Sequence, residues 1–153
     1  MRLLLATFAM GVLSAVVPLI NMEAYIAGIA ALIGDINIWL VALVAGTGQA
    51  VGKIPWYEVS RRSMDWSYIR RKMANPDWAR RYERIRTTTD QRPWIGMTLL
   101  FTSSLIAIPP LAITAVLAGQ LRFNRLAFHA TIIVGRTLQF AALLGGVAWL
   151  MHR

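Results

Sequence analysis

Three charged side chains stand inside stretches that are otherwise apolar: Glu23 in VPLINMEAYIAG (17–28), Lys53 in GTGQAVGKIPWY (46–57) and Arg136 in ATIIVGRTLQFA (130–141). A charge at the centre of a membrane helix costs about 2.5–3.5 kcal/mol on insertion scales, so such groups are retained with partners and for a purpose. Glu23 with Arg136, or Glu23 with Lys53, is the expected pair. Two cations against one carboxylate leave a local positive excess that suits a phosphate headgroup, with broken-helix N-termini adding free backbone donors. The carboxylate would then neutralise one cation in the empty site, or carry a proton. The competing structural reading is an ion pair that only fixes the helices.

The elements that must position these groups follow from composition and run length. The chain has 153 residues, of which 57% are hydrophobic and only 15% charged, and its mean hydropathy is +0.53. That is more apolar surface than a soluble domain of this size can bury, which predicts a single membrane domain. Residues 3–34 are interrupted by one charge, and residues 93–121 carry none. One crossing takes about 20 residues and two take about 40, so both runs fall between. Residues 36–57 and 126–151 are each close to one crossing. Pro18, with Asn21 after it, interrupts the first long run, and Pro109-Pro110 the second. Proline removes a backbone donor and clashes with the preceding turn, so each run is expected to divide into two shorter helices.

An internal repeat emerges from the two broken runs. VPLINMEAYIAG aligns without gaps on IPPLAITAVLAG (108–119), matching Pro18 to Pro109, Ala24 to Ala115, Ala27 to Ala118 and Gly28 to Gly119. A second match follows in order, Val51-Gly52-Lys53 with Tyr57 against Val134-Gly135-Arg136 with Phe140. The chain therefore reads as repeat one over 3–60, a loop over 61–92 and repeat two over 93–151. Each unit is a broken helical hairpin followed by a spanning helix. Two topologies fit. Re-entrant hairpins would dip in from opposite sides and make an inverted repeat of the transporter kind. Full crossings would make four spans and a parallel repeat. The central prolines and the in-between lengths favour the first.

The loop 61–92 holds ten of the 16 Lys and Arg residues against four acids, which predicts a cytoplasmic location by the positive-inside rule. The net charge of +9 is thereby a matter of topology and not of nucleic acid. Trp66, Ile69 and Met73, and again Trp78, Tyr82 and Ile85, fall at helical spacing, as two short amphipathic helices in the headgroup layer would have them. Asn75-Pro76-Asp77 reads as a cap and restart between them. The opening MRLLLATFAMGVLSAVV is kept as mature structure, because its small-x-small site follows too short an apolar run.

Other signals exclude more than they suggest. The chain has no cysteine, which removes disulfides, thiol catalysis and cysteine-ligated metals. Residues 46–53 resemble a phosphate loop only faintly; Gly48 and Gly52 instead make a small-xxx-small face for close helix packing. His129 and His152 lack companions at metal spacing. Ser103 and Ser104 have no local base, and hydroxyls within helices usually bond the backbone. No enzyme, metal or cofactor is expected.

As an ordered set, these residues resemble the DedA superfamily of membrane proteins, also called SNARE-associated or VTT-domain proteins. Pro18 and Glu23 match its first proline-and-glutamate motif, with Asn21 where a second proline would stand. Gly48, Gly52, Tyr57 and Arg61 match its G-x-x-x-G element with a downstream tyrosine and arginine, with Ser60 replacing the usual glycine. Pro109, Pro110, Ala118 and Gly119 match the third motif, followed by Phe128 and Gly135-Arg136. Larger bacterial members carry an acid after the second glycine, where this chain has Lys53, and arginine in the second hairpin, where it reads FTSSLIAIPP. The resemblance spans residues 17–146. It implies two opposing re-entrant hairpins and lipid translocation across the cytoplasmic (inner) membrane, with polyprenyl phosphate or another anionic lipid as substrate. It also implies that Tyr57 and Arg61 join Glu23, Lys53 and Arg136 as substrate-binding residues. A phospholipid scramblase, a small proton-coupled multidrug antiporter with Glu23 as its cation site, and a membrane scaffold acting through the basic loop are the alternatives. A homo-oligomer stays open.

Overall fold

A computed structural model describes residues 1–17, 19–32, 37–63, 65–67, 70–71, 74–106 and 111–151, with backbone alone at 112–113. The proline breaks at Pro18, Pro109 and Pro110 lie outside the described residues, as do Ile69 and Met73 of the first amphipathic stripe. Everything regular among the described residues is helical: α1 (Arg2–Val16), α2 (Met22–Leu32), α3 (Ile38–Gly52), α4 (Ile54–Ser63), α5 (Pro76–Gln91), α6 (Pro93–Ile106), α7 (Leu111–Gln120) and α8 (Arg125–Met151).

Two helical stretches are long and apolar enough to cross a membrane, Ile38–Ser63 and Arg125–Met151. The first comprises α3 and α4, interrupted only at Lys53, two residues before Pro55. The helices of the broken runs are shorter, 15 and 11 residues for α1 and α2, 14 and 10 for α6 and α7. Each falls short of the about 20 residues of a full crossing.

Asparagine starts four of these helices, each time by offering a side-chain oxygen to an orphan amide of the first turn. Asn21 Oδ1 accepts from Ala24 at 3.0 Å, Asn37 from Leu40 at 3.1 Å, Asn75 from Asp77 at 2.9 Å and Asn124 from Ala127 at 3.1 Å. The Asn75-Pro76-Asp77 restart thus takes the expected form, with proline at the head of α5 where its missing N–H costs nothing. Asn21, anticipated as a helix break, is the cap that opens the second half-helix.

Helix directions follow from which residues meet. Gly11 of α1 lies against Ala45 and Gly48 of α3, Ser14 bonds Gln49, and Ala15 lies against Gly52. Numbers rise together along both helices, so α1 and α3 run parallel. This is the close packing expected of Gly48 and Gly52: a Cβ on Gly52 would come within 2.5 Å of the Val12 carbonyl oxygen. Gly135 of α8 lies against Ser104 and Phe101 of α6. Met97 and Thr98 share a cavity with Ala130 and Thr131, so α6 and α8 are parallel too. The long pair runs the other way. Tyr57 stacks on Phe128, Gly46 lies against Thr137, and Ile38 lines a cavity with Gly145.

Within each broken run the chain folds back. The Tyr25 hydroxyl lies 3.4 Å from that of Thr7, and Ser103 Oγ lies 3.1 Å from Thr114 Oγ1. A continuous helix would hold the latter pair about 16 Å apart. The second arm of each run then packs on the other unit, α2 on α8 and α7 on α4. Two buried clusters result. One gathers Met22, Ile26, Val41, Phe140 and Leu144, and the other Tyr57, Leu100, Ala115, Phe128 and Ile132.

Candidate functional site

Arg136 sits eleven residues into α8, about 16 Å along its axis at the helical rise, and is only 6% exposed. Its guanidinium reaches α2, where Nη1 donates to Glu23 Oε1 at 3.1 Å. The same nitrogen lies 2.5 Å from Gln139 Oε1, one turn further along α8, and the group stands 5.8 Å from the centre of the Phe140 ring. Nε is buried and has no hydrogen-bond partner. Five donors in a rigid fork are therefore only partly used.

Glu23 is in the first turn of α2, where the helix dipole favours a negative charge. The side chain is 38% exposed, unlike its partner at 8%. It is held by α8 of the other unit, and the carboxylate stays open on one side.

Lys53 takes a different partner. Its ammonium donates to the backbone carbonyl of Ala15 at 2.7 Å, and the residue is 5% exposed. Ala15 belongs to the last turn of α1, whose carbonyls have no partner within the helix. The bond satisfies one of them with a cation on the favourable end of the dipole. Of the two pairings open to Glu23, the fold forms the one with Arg136. Among the described residues no carboxylate pairs with Lys53. In the antiparallel packing of α3 and α8, Lys53 lies seven residues beyond Gly46 and Arg136 one residue before its neighbour Thr137, which sets the two cations about 10 Å apart along the axes.

Tyr57 and Arg61 form a third place, on α4. Tyr57 is fully buried, and its hydroxyl donates to the carbonyl of Phe123 in the connection between α7 and α8. Arg61 Nη1 donates to the same hydroxyl at 3.4 Å. A Cβ on Gly119 would meet the backbone of Tyr57 and Arg61, so the residue must be small for α7 to pack there. The tyrosine thus ties α4 to the start of α8.

The five candidate residues accordingly divide into Glu23 with Arg136, Lys53 by itself, and Tyr57 with Arg61. Gln139 was missed, although a polar residue three positions beyond a buried arginine on one helix is a readable signal. The bidentate pair of Arg125 with Glu58, at 2.9 and 3.0 Å, was also missed. It joins the start of α8 to the helix that leads into the basic loop, and Arg122 approaches Asp65 at 4.0 Å beside it.

Several other hydroxyls are satisfied within their own helix. Ser104 bonds the Leu100 carbonyl at 2.7 Å, as a helix hydroxyl commonly does. His129 packs against Phe128 and Tyr57, and its Nδ1 has no partner. His152 lies outside the described residues. Among the described residues no group of three or more His, Asp or Glu side chains comes together as a metal site would require.

No family model, curated protein or solved structure matches this chain.

Proposed function

We propose that this protein is a membrane lipid translocase that moves an anionic lipid, of the polyprenyl phosphate kind, across the cytoplasmic membrane. The observation that carries the reading is Arg136. It is a buried cation in the middle of a span-length helix, with a free Nε donor and a counter-ion that is itself partly open. An arriving lipid phosphate takes the place of the Glu23 carboxylate on the guanidinium, or docks on the edge that the free Nε shares with Nη2. Charge-assisted bonds of this kind are among the strong ones. The released carboxylate keeps the favourable field of the α2 N-terminus, or takes a proton. Lys53 stays on the Ala15 carbonyl and contributes positive potential without contact.

The two broken runs are, in this proposal, re-entrant hairpins entering from opposite faces, related as an inverted repeat. Several relationships support that topology. α1 is parallel to α3 and α6 to α8, while α3 and α8 are antiparallel. Four full crossings would set α1 against α3. They would also put the loop 61–92 across the membrane from Arg122 and Arg125, whereas Arg125 pairs with Glu58 and Arg122 approaches Asp65. The excess of arginine makes that shared end cytoplasmic. The likeness to the DedA superfamily points the same way, and it supplies the substrate class.

A cationic-drug antiporter fits less well, since Glu23 already holds Arg136 and a second cation would have to displace it. The deciding experiment is transbilayer movement of a fluorescent polyprenyl phosphate in proteoliposomes, comparing wild type with Arg136→Gln at matched reconstitution. Fast movement that the substitution removes supports the proposal. No movement above empty liposomes, with and without a pH gradient, overturns it.

A further inference from the structure

Away from the charged site, α5, α6 and α7 enclose a cleft of about 410 Å³, lined by Ile85, Leu99, Leu100, Leu117, Leu121 and Phe123 among others. Three threonines line it as well, Thr88, Thr89 and Thr114, but their hydroxyls are engaged elsewhere: Thr114 with the Leu111 carbonyl and Ser103, and Thr88 and Thr89 with their own helix. Thr88 bonds the Arg84 carbonyl at 2.8 Å and Thr89 the Ile85 carbonyl at 2.9 Å. What they offer the cleft is therefore largely methyl surface. Among the described lining residues the one that is charged is Arg84, exposed at the edge.

On α5, Arg80 is paired with Asp77 at 2.8 Å and Arg86 with Asp90 at 3.8 Å, but among the described residues Arg81 and Arg84 have no acidic partner, and of these two Arg84 lines the cleft. An unpaired guanidinium beside an apolar cleft of this size is the pattern of an amphiphile site: a few placed polar groups and a mostly hydrophobic wall. At roughly 30 Å³ per small group, the space a water takes in the liquid, the cleft has room for on the order of a dozen methylenes. Tyr82 bonds the Gln120 carbonyl at 2.8 Å and so holds α5 down over α7, while Trp78 stays half exposed on the same helix. A helix lying in the headgroup layer with arginine on its polar side attracts anionic lipid.

We propose that this cleft binds one acyl chain of an anionic phospholipid, whose phosphate is held by Arg84, as a resident lipid that seats α5 on the membrane. This site is separate from Arg136. It rests on the membrane reading of the chain and not on translocation.

The test is photocrosslinking of the full chain in liposomes of phosphatidylcholine with one fifth phosphatidylglycerol. The probe is phosphatidylglycerol carrying a diazirine midway along one acyl chain, and adducts are mapped by mass spectrometry. Expected are adducts concentrated on Leu99, Leu117 and Phe123. They should fall at least fivefold in Leu117→Trp, which fills the cleft, and at least threefold in Arg84→Gln, which leaves its walls intact. Ile85→Trp, made on an exposed side chain, narrows the cleft with little risk to folding and should also lower the yield. The matching phosphatidylcholine probe should label the cleft severalfold less. Overturning results are adducts spread evenly over outward-facing side chains such as Trp39 and Leu126, equal labelling by the two headgroups, or crosslinks from the cleft to a second copy of the chain. Lipid movement plays no part in this readout, so failure here and failure of the translocase proposal are distinguishable.

Discussion

Lys53 and Ala15 are joined by a 2.7 Å bond from the ammonium to the backbone carbonyl, so a cation at the junction of α3 and α4 closes the end of α1, 38 residues earlier. The last carbonyls of a helix have no partner within it, and one buried away from water needs a donor from elsewhere. Lys53→Met should therefore destabilise the packing of α1 on α3 by about 1–3 kcal/mol, the cost of a buried acceptor left without a donor. Thermal unfolding in detergent measures it, and an unchanged midpoint would show that Ala15 finds another donor.

The Glu23–Arg136 pair predicts an asymmetric response. Glu23→Leu strands Arg136, while Glu23→Gln keeps an oxygen within reach of Nη1. The first should cost about 2 kcal/mol, less than the 3–5 kcal/mol of a fully buried pair because the carboxylate is 38% exposed. The second should cost less than half of that. A double-mutant cycle with Arg136→Met gives the coupling; a value near zero would mean the pair contributes nothing to stability.

Two glycines of the first repeat should not behave alike. A Cβ on Gly52 would come within 2.5 Å of the Val12 carbonyl oxygen, whereas one on Gly28 would meet nothing within 4 Å. Gly52→Ala should force α1 and α3 apart at a cost of about 1–3 kcal/mol. Gly28→Ala, in the interior of α2, should be neutral or stabilise by up to about 1 kcal/mol. Equal effects of the two in denaturant titration would contradict this packing.

Topology is directly measurable because the chain has no native cysteine. Single cysteines at Asn124 and at Ser67 should both react with an impermeant maleimide from the cytoplasmic face only. Labelling of the two from opposite faces would be incompatible with the Arg125–Glu58 pair and with re-entrant hairpins.

Tyr82 should make the seating of α5 sensitive to alkali. Burial of the phenol, the largest influence on it, raises its pKa above the usual 10.0. A group raised in this sense stabilises the folded contact at pH values below 10 and loses that contribution as pH climbs through the higher folded value. A spin label at Thr87→Cys should gain mobility above pH 10 in the wild-type background. In Tyr82→Phe it should be mobile already at neutral pH and show no such step.

Much of this arrangement is legible in the residues themselves. Run length and hydropathy mark the span-length segments, because crossing a bilayer sets a length that composition must fill. Asn75-Pro76 marks the head of α5, since capping is a local bond. Gly48 and Gly52 announce close packing by their spacing. The three charges within apolar stretches stand out because an apolar environment makes each of them costly.

The choice of partners belongs to the tertiary structure. Nothing local distinguishes Arg136 from Lys53 as the companion of Glu23; the packing of α2 on α8 decides it, and Lys53 is left to the end of α1. Helix direction is likewise invisible in hydropathy, which is unchanged when a helix is reversed, and appears only in which residues of α1 meet which of α3. The cleft beneath α5 has the same origin: its walls come from three helices and Phe123, brought together by contacts such as Tyr82 on Gln120. Sequence determines which groups are too costly to leave alone, because that cost is a property of one residue and its solvent. Only the fold decides which groups meet, because meeting depends on the chain being folded back on itself.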